Sequence, residues 1–271
     1  MMKRSLIVVL FVLGLGQVYA QPVKDTAWTK AGYFGLKLTQ VSLSSWSAGG
    51  ESALAFDSQI TYSADFKQDR QLWQNRLELG YGLTKNDGKS ARKTNDKIYF
   101  ASTYGYQIYK SLYWSALLNF NTQFAKGYDY NIEDSDFISK FMAPGYLIIG
   151  TGITWSPNKI FTATFTPASW RGTIVADSRL SDEGAFGVDK GKHLLSEFGA
   201  NLKAEVNYEF LTNMKVYSRL ELYSNYLEDP QNIDVRWEVQ LNMAINKWFS
   251  TTLSTNLLYD NDVKIAQKDG T

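Results

Sequence analysis

The sequence predicts an all-β protein, an antiparallel up-and-down transmembrane β-barrel with eleven strands in this chain. Three observations predict it: two-faced segments too long for ordinary strands, connections that alternate between tight and long, and an export leader. The clearest segment runs from Glu197 to Phe210, where Phe198, Ala200, Leu202, Ala204, Val206, Tyr208 and Phe210 are apolar and Glu, Gly, Asn or Lys stand between them. Successive side chains leave a strand on opposite sides, so one face wants hydrocarbon, while Glu197, Lys203, Glu205 and Glu209 face water. Ordinary strands run about 5 to 6 residues, whereas a tilted strand crossing a bilayer needs about 9 to 11.

The amino terminus sets the destination. Met1 to Ala20 has a basic start at Lys3 and Arg4, an apolar run from Leu6 to Leu15, and Val18-Tyr19-Ala20 as a small-x-small cleavage signal, the pattern of a secretory signal peptide. Its apolar run is well short of the roughly 20 residues a spanning helix needs, and no later segment supplies them. Residues 21–31 are then expected to be a periplasmic segment, and 32–271 the barrel.

The strands follow in order from the period-two pattern and from what separates them. Gly32 to Leu43 and Ser52 to Phe66 are divided by the modest Ser44 to Glu51 connection. Lys67 to Gln71 makes a short turn into Leu72 to Thr84, and Lys85 to Asp96 a long loop into Lys97 to Ile108. After the short Tyr109 to Ser111 comes Leu112 to Phe124, where Leu112, Trp114, Ala116, Leu118 and Phe120 share one face. The long Ala125 to Gly145 loop leads to Tyr146 to Ser156, and the short Pro157 to Lys159 to Ile160 to Trp170. The long Arg171 to His193 loop precedes Leu194 to Phe210; Leu211 to Asn213 then turns tightly into Met214 to Tyr226. Leu227 to Asn232 joins Ile233 to Ile245, where Val235, Trp237, Val239, Leu241, Met243 and Ile245 alternate with Asp234, Arg236, Glu238, Gln240 and Asn242. Asn246-Lys247 leads into the last strand, Trp248 to Tyr259.

Short turns on one side and long loops on the other suit an outer-membrane barrel with a periplasmic amino terminus. Single-chain bacterial barrels close with even strand numbers, so parity predicts a twelfth strand beyond the eleven, with the final carboxy-terminal strand missing here. Phe66, Trp73, Trp114, Trp155, Phe161 and Phe210 lie on the apolar face beside the short turns and are expected to form an aromatic belt at one interface. Tyr81, Phe124 and Tyr259 fall toward the opposite rim.

Composition agrees. Aromatics make up 15% of the chain, and mean hydropathy is −0.28, as expected of half-polar strands. With no cysteine there are no disulfides, thiolate metal sites or lipid attachment through an amino-terminal cysteine. Removing Lys3 and Arg4 with the leader moves the net charge from +1 to −1, which implies no nucleic acid partner.

Nothing in the sequence assembles a catalytic centre. The single histidine, His193, is expected to be a solvated loop residue, with Ser181 and Ser196 near only in sequence. Asp129, Glu133, Asp134 and Asp136, and separately Asp260, Asn261 and Asp262, lack the ordered spacing of a calcium loop. Gly49-Gly50 precedes no helix and reads as a tight turn or bulge. No metal and no cofactor is therefore expected. The inward faces carry more information: Arg76, Glu78, Glu197, Lys203, Glu205, Lys215, Arg219, Glu221, Arg236 and Glu238 would line the lumen, pairing across strands or lining a narrow pore. A soluble periplasmic barrel with its faces reversed is the alternative architecture. Expected partners are outer-membrane lipid, the barrel assembly machinery, and a small solute or another protein. The alternative role, loop-mediated binding or envelope assembly, places function in the two longest loops.

Specific motifs add a resemblance. Val41 to Phe56, with SSWSAGGE at Ser44 to Glu51, resembles the start of an uncharacterised family of Bacteroidetes outer-membrane barrels, catalogued as domain of unknown function 3078. Also similar are RKTNDK (Arg92 to Lys97), NFNTQFAKGYD (Asn119 to Asp129), FMAPG (Phe141 to Gly145), the stretch around Phe165 to Arg171, and YDND (Tyr259 to Asp262). The resemblance runs from about Gly32 onward; it implies a barrel and an outer-membrane location, and no activity.

Overall fold

The computed structural model describes residues 27–42, 51–132, 136–244 and 250–259. The leader, the Ser44 to Gly50 turn, Glu133, Asp134, the Asp260 to Asp262 cluster and the twelfth strand inferred from parity all lie outside them. Among the described residues the strands are β1 (Trp28–Val41), β2 (Ala53–Gln68), β3 (Gln71–Asn86), β4 (Arg92–Tyr109), β5 (Leu112–Thr122), β6 (Gly127–Tyr128), β7 (Phe137–Ser139), β8 (Gly145–Trp155), β9 (Phe161–Ile174), β10 (Leu194–Leu211), β11 (Met214–Asn225), β12 (Ile233–Ala244) and β13 (Ser250–Tyr259). All but β6 and β7 join one eleven-stranded antiparallel sheet, in which each strand lies beside its neighbour along the chain. Among the described residues, β1 pairs only with β2 and β13 only with β12.

Three expectations are corrected at strand ends. Trp28 to Ala31 belong to β1 rather than to a preceding segment, because Trp28 pairs with Phe66 and the ladder continues without a break to Val41. Arg171 to Ile174 belong to β9 rather than to a loop, held between β8 and β10 by the Arg171 pairings with Ile148 and Glu197. The third long-loop strand end, that of β4, also extends to Arg92.

One irregularity shapes the wall. Pro167 lacks an N–H and cannot donate to a ladder. The register shifts around it on both sides, between Thr151 and Ile153 of β8 and between Gly199 and Asn201 of β10. Gly152 faces the Phe165 carbonyl and Gly199 the Ser224 carbonyl so closely that any Cβ would overlap them. Glycine is required at these two positions by contact with backbone.

The sheet curls strongly. A flat sheet would hold β4 and β11 about 24 Å apart at about 4.8 Å per strand. Yet Tyr99 of β4 lies within electrostatic reach of Lys203 on β10 and of Arg219 and Glu221 on β11, and Arg76 of β3 within reach of Tyr217 on β11. The face carrying these groups is therefore concave, and the apolar face convex. Leu202 is 37% exposed on the convex side, alongside exposed Phe34, Leu38, Trp114, Ile149, Phe165 and Trp237.

The main buried apolar cluster lies at the long-loop rim. Ala143, Val175, Leu180 and Val188 pack with Phe137, Ala185, Phe186 and Leu195. Apart from Leu195 of β10, these residues come from the β5–β8 connection, which holds β6 and β7, and from the β9–β10 connection, which holds the helix α1 (Ser178–Glu183) and a 3-10 turn at Ala185–Gly187. The two longest loops thus share one small core.

Candidate functional site: the concave face and its rim cap

Alternation places each expected lumen residue on the concave face, where each has an ionic partner. Glu78 accepts from Arg76 at 2.5 Å and also pairs with Lys97. Lys203 and Glu205 lie 3.1 Å apart, and the Tyr217 hydroxyl donates to the same Glu205 oxygen. Arg219 meets Glu238 at 2.6 Å, Arg236 approaches Glu221 at 4.0 Å, and Lys215 reaches Glu209 at 3.3 Å near the tight turns. Arg76 with Glu78 and Lys203 with Glu205 pair along one strand and the others across strands, which avoids the cost of unpaired desolvated charges. The Arg76 side chain stays 51% exposed and that of Lys97 42%, so on this side the charges line an open space instead of filling it.

Toward the rim a tighter group forms. Arg171 grips Glu197 with two nitrogens at 2.5 and 2.7 Å, gives a third to Asp234 at 2.8 Å, and stacks 4.0 Å above the Tyr223 ring. Asn225 completes the group through Glu197 at 3.4 Å. Sequence reading picked out Glu197 and faced Asp234 inward but missed Arg171, which it assigned to a loop, and Tyr223. The usable signal was the even spacing of Arg171 and Thr173 with Ser169, continuing the inward row past the expected strand end. On the same face but toward the tight turns, the Ser115, Thr154 and Thr164 hydroxyls form a buried ladder at 2.8 and 2.9 Å.

The cap is held by polar contacts as well as by its core. Asp177 is the N-cap of α1, accepting from the Leu180 amide at 3.0 Å, and pairs with Lys140 of the other loop at 2.5 Å. The Phe137 ring lies beneath Lys126 at 4.6 Å and Arg179 at 4.4 Å, and Arg179 also donates to the Phe137 carbonyl. Asp96 accepts from the Phe124 and Ala125 amides and pairs with Lys93 at 2.6 Å, anchoring the first loop to β4.

The Lys140 contact, reinforced by the Leu180 amide, holds the Asp177 carboxyl below its usual range. A carboxyl with a lowered folded-state pKa contributes stability above its unfolded pKa and loses it as pH falls through the folded value. Replacing Asp177 by Ala removes the helix cap, worth about 1 kcal/mol, and is expected to raise local opening about fivefold, read as tryptic cleavage at Arg179, Lys190 and Lys192. Asp177→Asn keeps the cap and loses the ion pair. Its amide protection at Leu180 should not change with pH, whereas the parent's should fall below about pH 4. Identical profiles for parent and Asn variant would refute the assignment.

Several polar atoms of the convex face are paired within it. The Trp73 indole donates to Ser102 at 2.8 Å, Ser102 to Asn75 at 2.8 Å, and Asn75 to the Ala64 carbonyl at 3.1 Å. Trp170 donates to Ser196 at 2.6 Å and Trp237 to Ser218 at 3.0 Å. The six expected belt residues Phe66, Trp73, Trp114, Trp155, Phe161 and Phe210 all stand on this face at the tight-turn end. Trp28 joins them, its ring 5.2 Å from Phe66 and 5.7 Å from Trp73, while Trp155 meets Phe161 at 5.5 Å.

His193 is exposed and its Nδ1 lies 2.6 Å from the Val175 carbonyl oxygen. Ser181 donates to the Lys192 carbonyl and Ser196 accepts from Trp170, so neither serine is aligned with the imidazole. Asp129 accepts from the amide and side chain of Asn131 in a local turn. Among the described residues no group of His, Cys, Asp and Glu could hold a metal ion. No helix among them is long and apolar enough to cross a membrane.

A comparison with curated proteins found no match. Residues 175–270 match the family model described as protein of unknown function, DUF481. Residues 38–128, from within β1 through β6, match the model described as protein of unknown function (DUF3078), the family that the SSWSAGGE, RKTNDK and NFNTQFAKGYD motifs resemble.

Proposed function

We propose that the protein is an outer-membrane β-barrel that acts as a narrow, polar-lined pore and carries no catalytic centre. The observation that carries this reading is the division of faces. The convex surface is largely apolar, bears an aromatic girdle at one end, and pairs several of its polar atoms internally, as a lipid environment favours. Charged residues occupy the concave side in pairs. Closing the edges of β1 and β13 would satisfy the remaining backbone groups, which hydrocarbon cannot solvate. The convex face then meets outer-membrane lipid, the barrel assembly machinery is the folding partner, and a small solute is the cargo. The test is flotation: full-length mature protein refolded with lipid vesicles is expected to rise with them through a density gradient after a carbonate wash. Mature protein that stays dissolved after ultracentrifugation without detergent would overturn the reading.

A further inference from the structure

We propose that the two long loops act together as one plug that closes the lumen mouth over β8 to β11. This inference rests on the pore reading and assigns its gate. Leu195, which pairs with Thr173 and shares the inward row of Arg171 and Glu197, belongs to the same apolar cluster as Val175, Leu180 and Val188. The cap therefore packs on the concave side of the wall rather than standing above it or leaning outward. Its cover is visible in what lies beneath: Thr173 is 4% exposed, Glu197 5% and Asn225 8%, although all three sit on the inner face close to the rim. At an open mouth these short polar side chains would be wet. Farther around the sheet, inward Tyr33 of β1 is 55% exposed. Inward residues are buried elsewhere as well, Glu78 of β3 and Ser115 of β5 among them; what distinguishes the arc from β8 to β11 is that the apolar cluster from both loops lies against its rim at Leu195.

The plug is a single body because neither loop builds it alone. Ala143 and Phe137 come from the first loop, Leu180 and Val188 from the second, and Lys140 reaches across to Asp177. A backbone bond from the Ala176 amide to the Met142 carbonyl joins the two loops, and the Met142 amide ties the first of them to the wall through the Thr122 hydroxyl. The second loop also leaves and re-enters the sheet at adjacent points, the Val175 amide donating to the His193 carbonyl at 2.9 Å. A two-residue turn can therefore replace it without disturbing β9 or β10.

The test replaces Ala176 to Lys192 by Asn-Gly in the otherwise intact mature protein, refolded into planar bilayers and vesicles. Single-channel conductance is expected to rise severalfold over the parent. A second readout uses the absence of native cysteine: Thr173→Cys should react with a membrane-impermeant maleimide at least tenfold faster in the loop-replaced protein than in the parent. Leu180→Asp, which opens the shared core without shortening the chain, should move both readouts the same way. Unchanged conductance in loop-replaced protein that floats with vesicles would overturn the plug while leaving the barrel standing, and so would equal labelling of Thr173→Cys. Parent and variant that both fail to float would overturn the barrel reading, and the plug with it.

Discussion

Replacing Arg171 by Met is expected to cost about 3 to 5 kcal/mol of folding stability. The guanidinium holds Glu197 with a two-nitrogen grip and Asp234 with a third, linking β9 to β12 over two intervening strands. The Glu197 side chain is only 6% exposed and that of Asp234 16%, so removing their common partner leaves two poorly solvated carboxylates side by side. Removing one member of such a cluster costs more than removing all of it, because the remainder stays buried and unneutralised. The triple variant Arg171→Met, Glu197→Gln, Asp234→Asn should therefore recover most of the loss. Arg171→Lys should recover little, since an ammonium cannot serve two carboxylates in the planar fork geometry. Urea unfolding in lipid vesicles, followed by tryptophan fluorescence, measures all three against the parent. A loss below about 1 kcal/mol for Arg171→Met, the size of a solvent-screened surface pair, would show that the cluster is wet and its links incidental.

The sheet was legible because its physics is local. Period-two alternation decides which side of a strand is greasy, and tight turns force sequential antiparallel neighbours, so all eleven expected strands pair in chain order. The ends were less legible at the rim. Arg171 to Ile174 and Arg92 to Asp96 continue their ladders where hydrophobic alternation has already stopped, because backbone pairing with a neighbour needs no apolar side chain. Trp28 was missed for a related reason: a lone tryptophan ahead of the pattern has no period, and its partner Phe66 is set only by register. The individual concave-face charges were readable from their face, but their partners were not. Arg219 could pair from sequence with Glu205, Glu221 or Glu238, and the register and side-chain reach select Glu238. The cap was least legible. Its core residues Ala143, Val175, Leu180 and Val188 are scattered over two loops without periodicity, and only tertiary contact makes them one unit.

The Pro167 segment shows why a local rule can fail within a correct fold. Proline in a central strand argues against that strand, yet β9 runs through it with neighbours on both sides. The cost is absorbed by a bulge and by glycines opposite it. Thr166 and Ser169, on either side of the Pro167-Ala168 step, are both completely buried, Thr166 against Gly150 and Gly152 and Ser169 against Gly150. The same region contains the Phe165 to Arg171 stretch, so one irregular turn of backbone sets both the bulge and the aim of Arg171.

Leu202→Arg is expected to cost about 2 to 4 kcal/mol and to lower yield of folded, vesicle-bound protein sharply. Leu202 stands on the convex face between Phe165 and Leu222, midway between Phe198 and Trp170 toward the rim and Phe210 and Phe161 toward the tight turns. If lipid covers that face, a guanidinium there lies near the centre of hydrocarbon, where no nearby carboxylate or water can solvate it. If water covers it, the same change removes a half-exposed apolar side chain from solvent contact and stability moves by no more than about 0.5 kcal/mol. The adjacent position supplies the control. Lys203 points to the concave side and pairs with Glu205, so Lys203→Arg keeps charge and face and should be near neutral under either reading. The two substitutions differ by one residue along the strand and by the whole thickness of the wall. Equal, small effects at both positions would mean that the convex face meets water, and a large loss at Leu202 alone would place it against hydrocarbon.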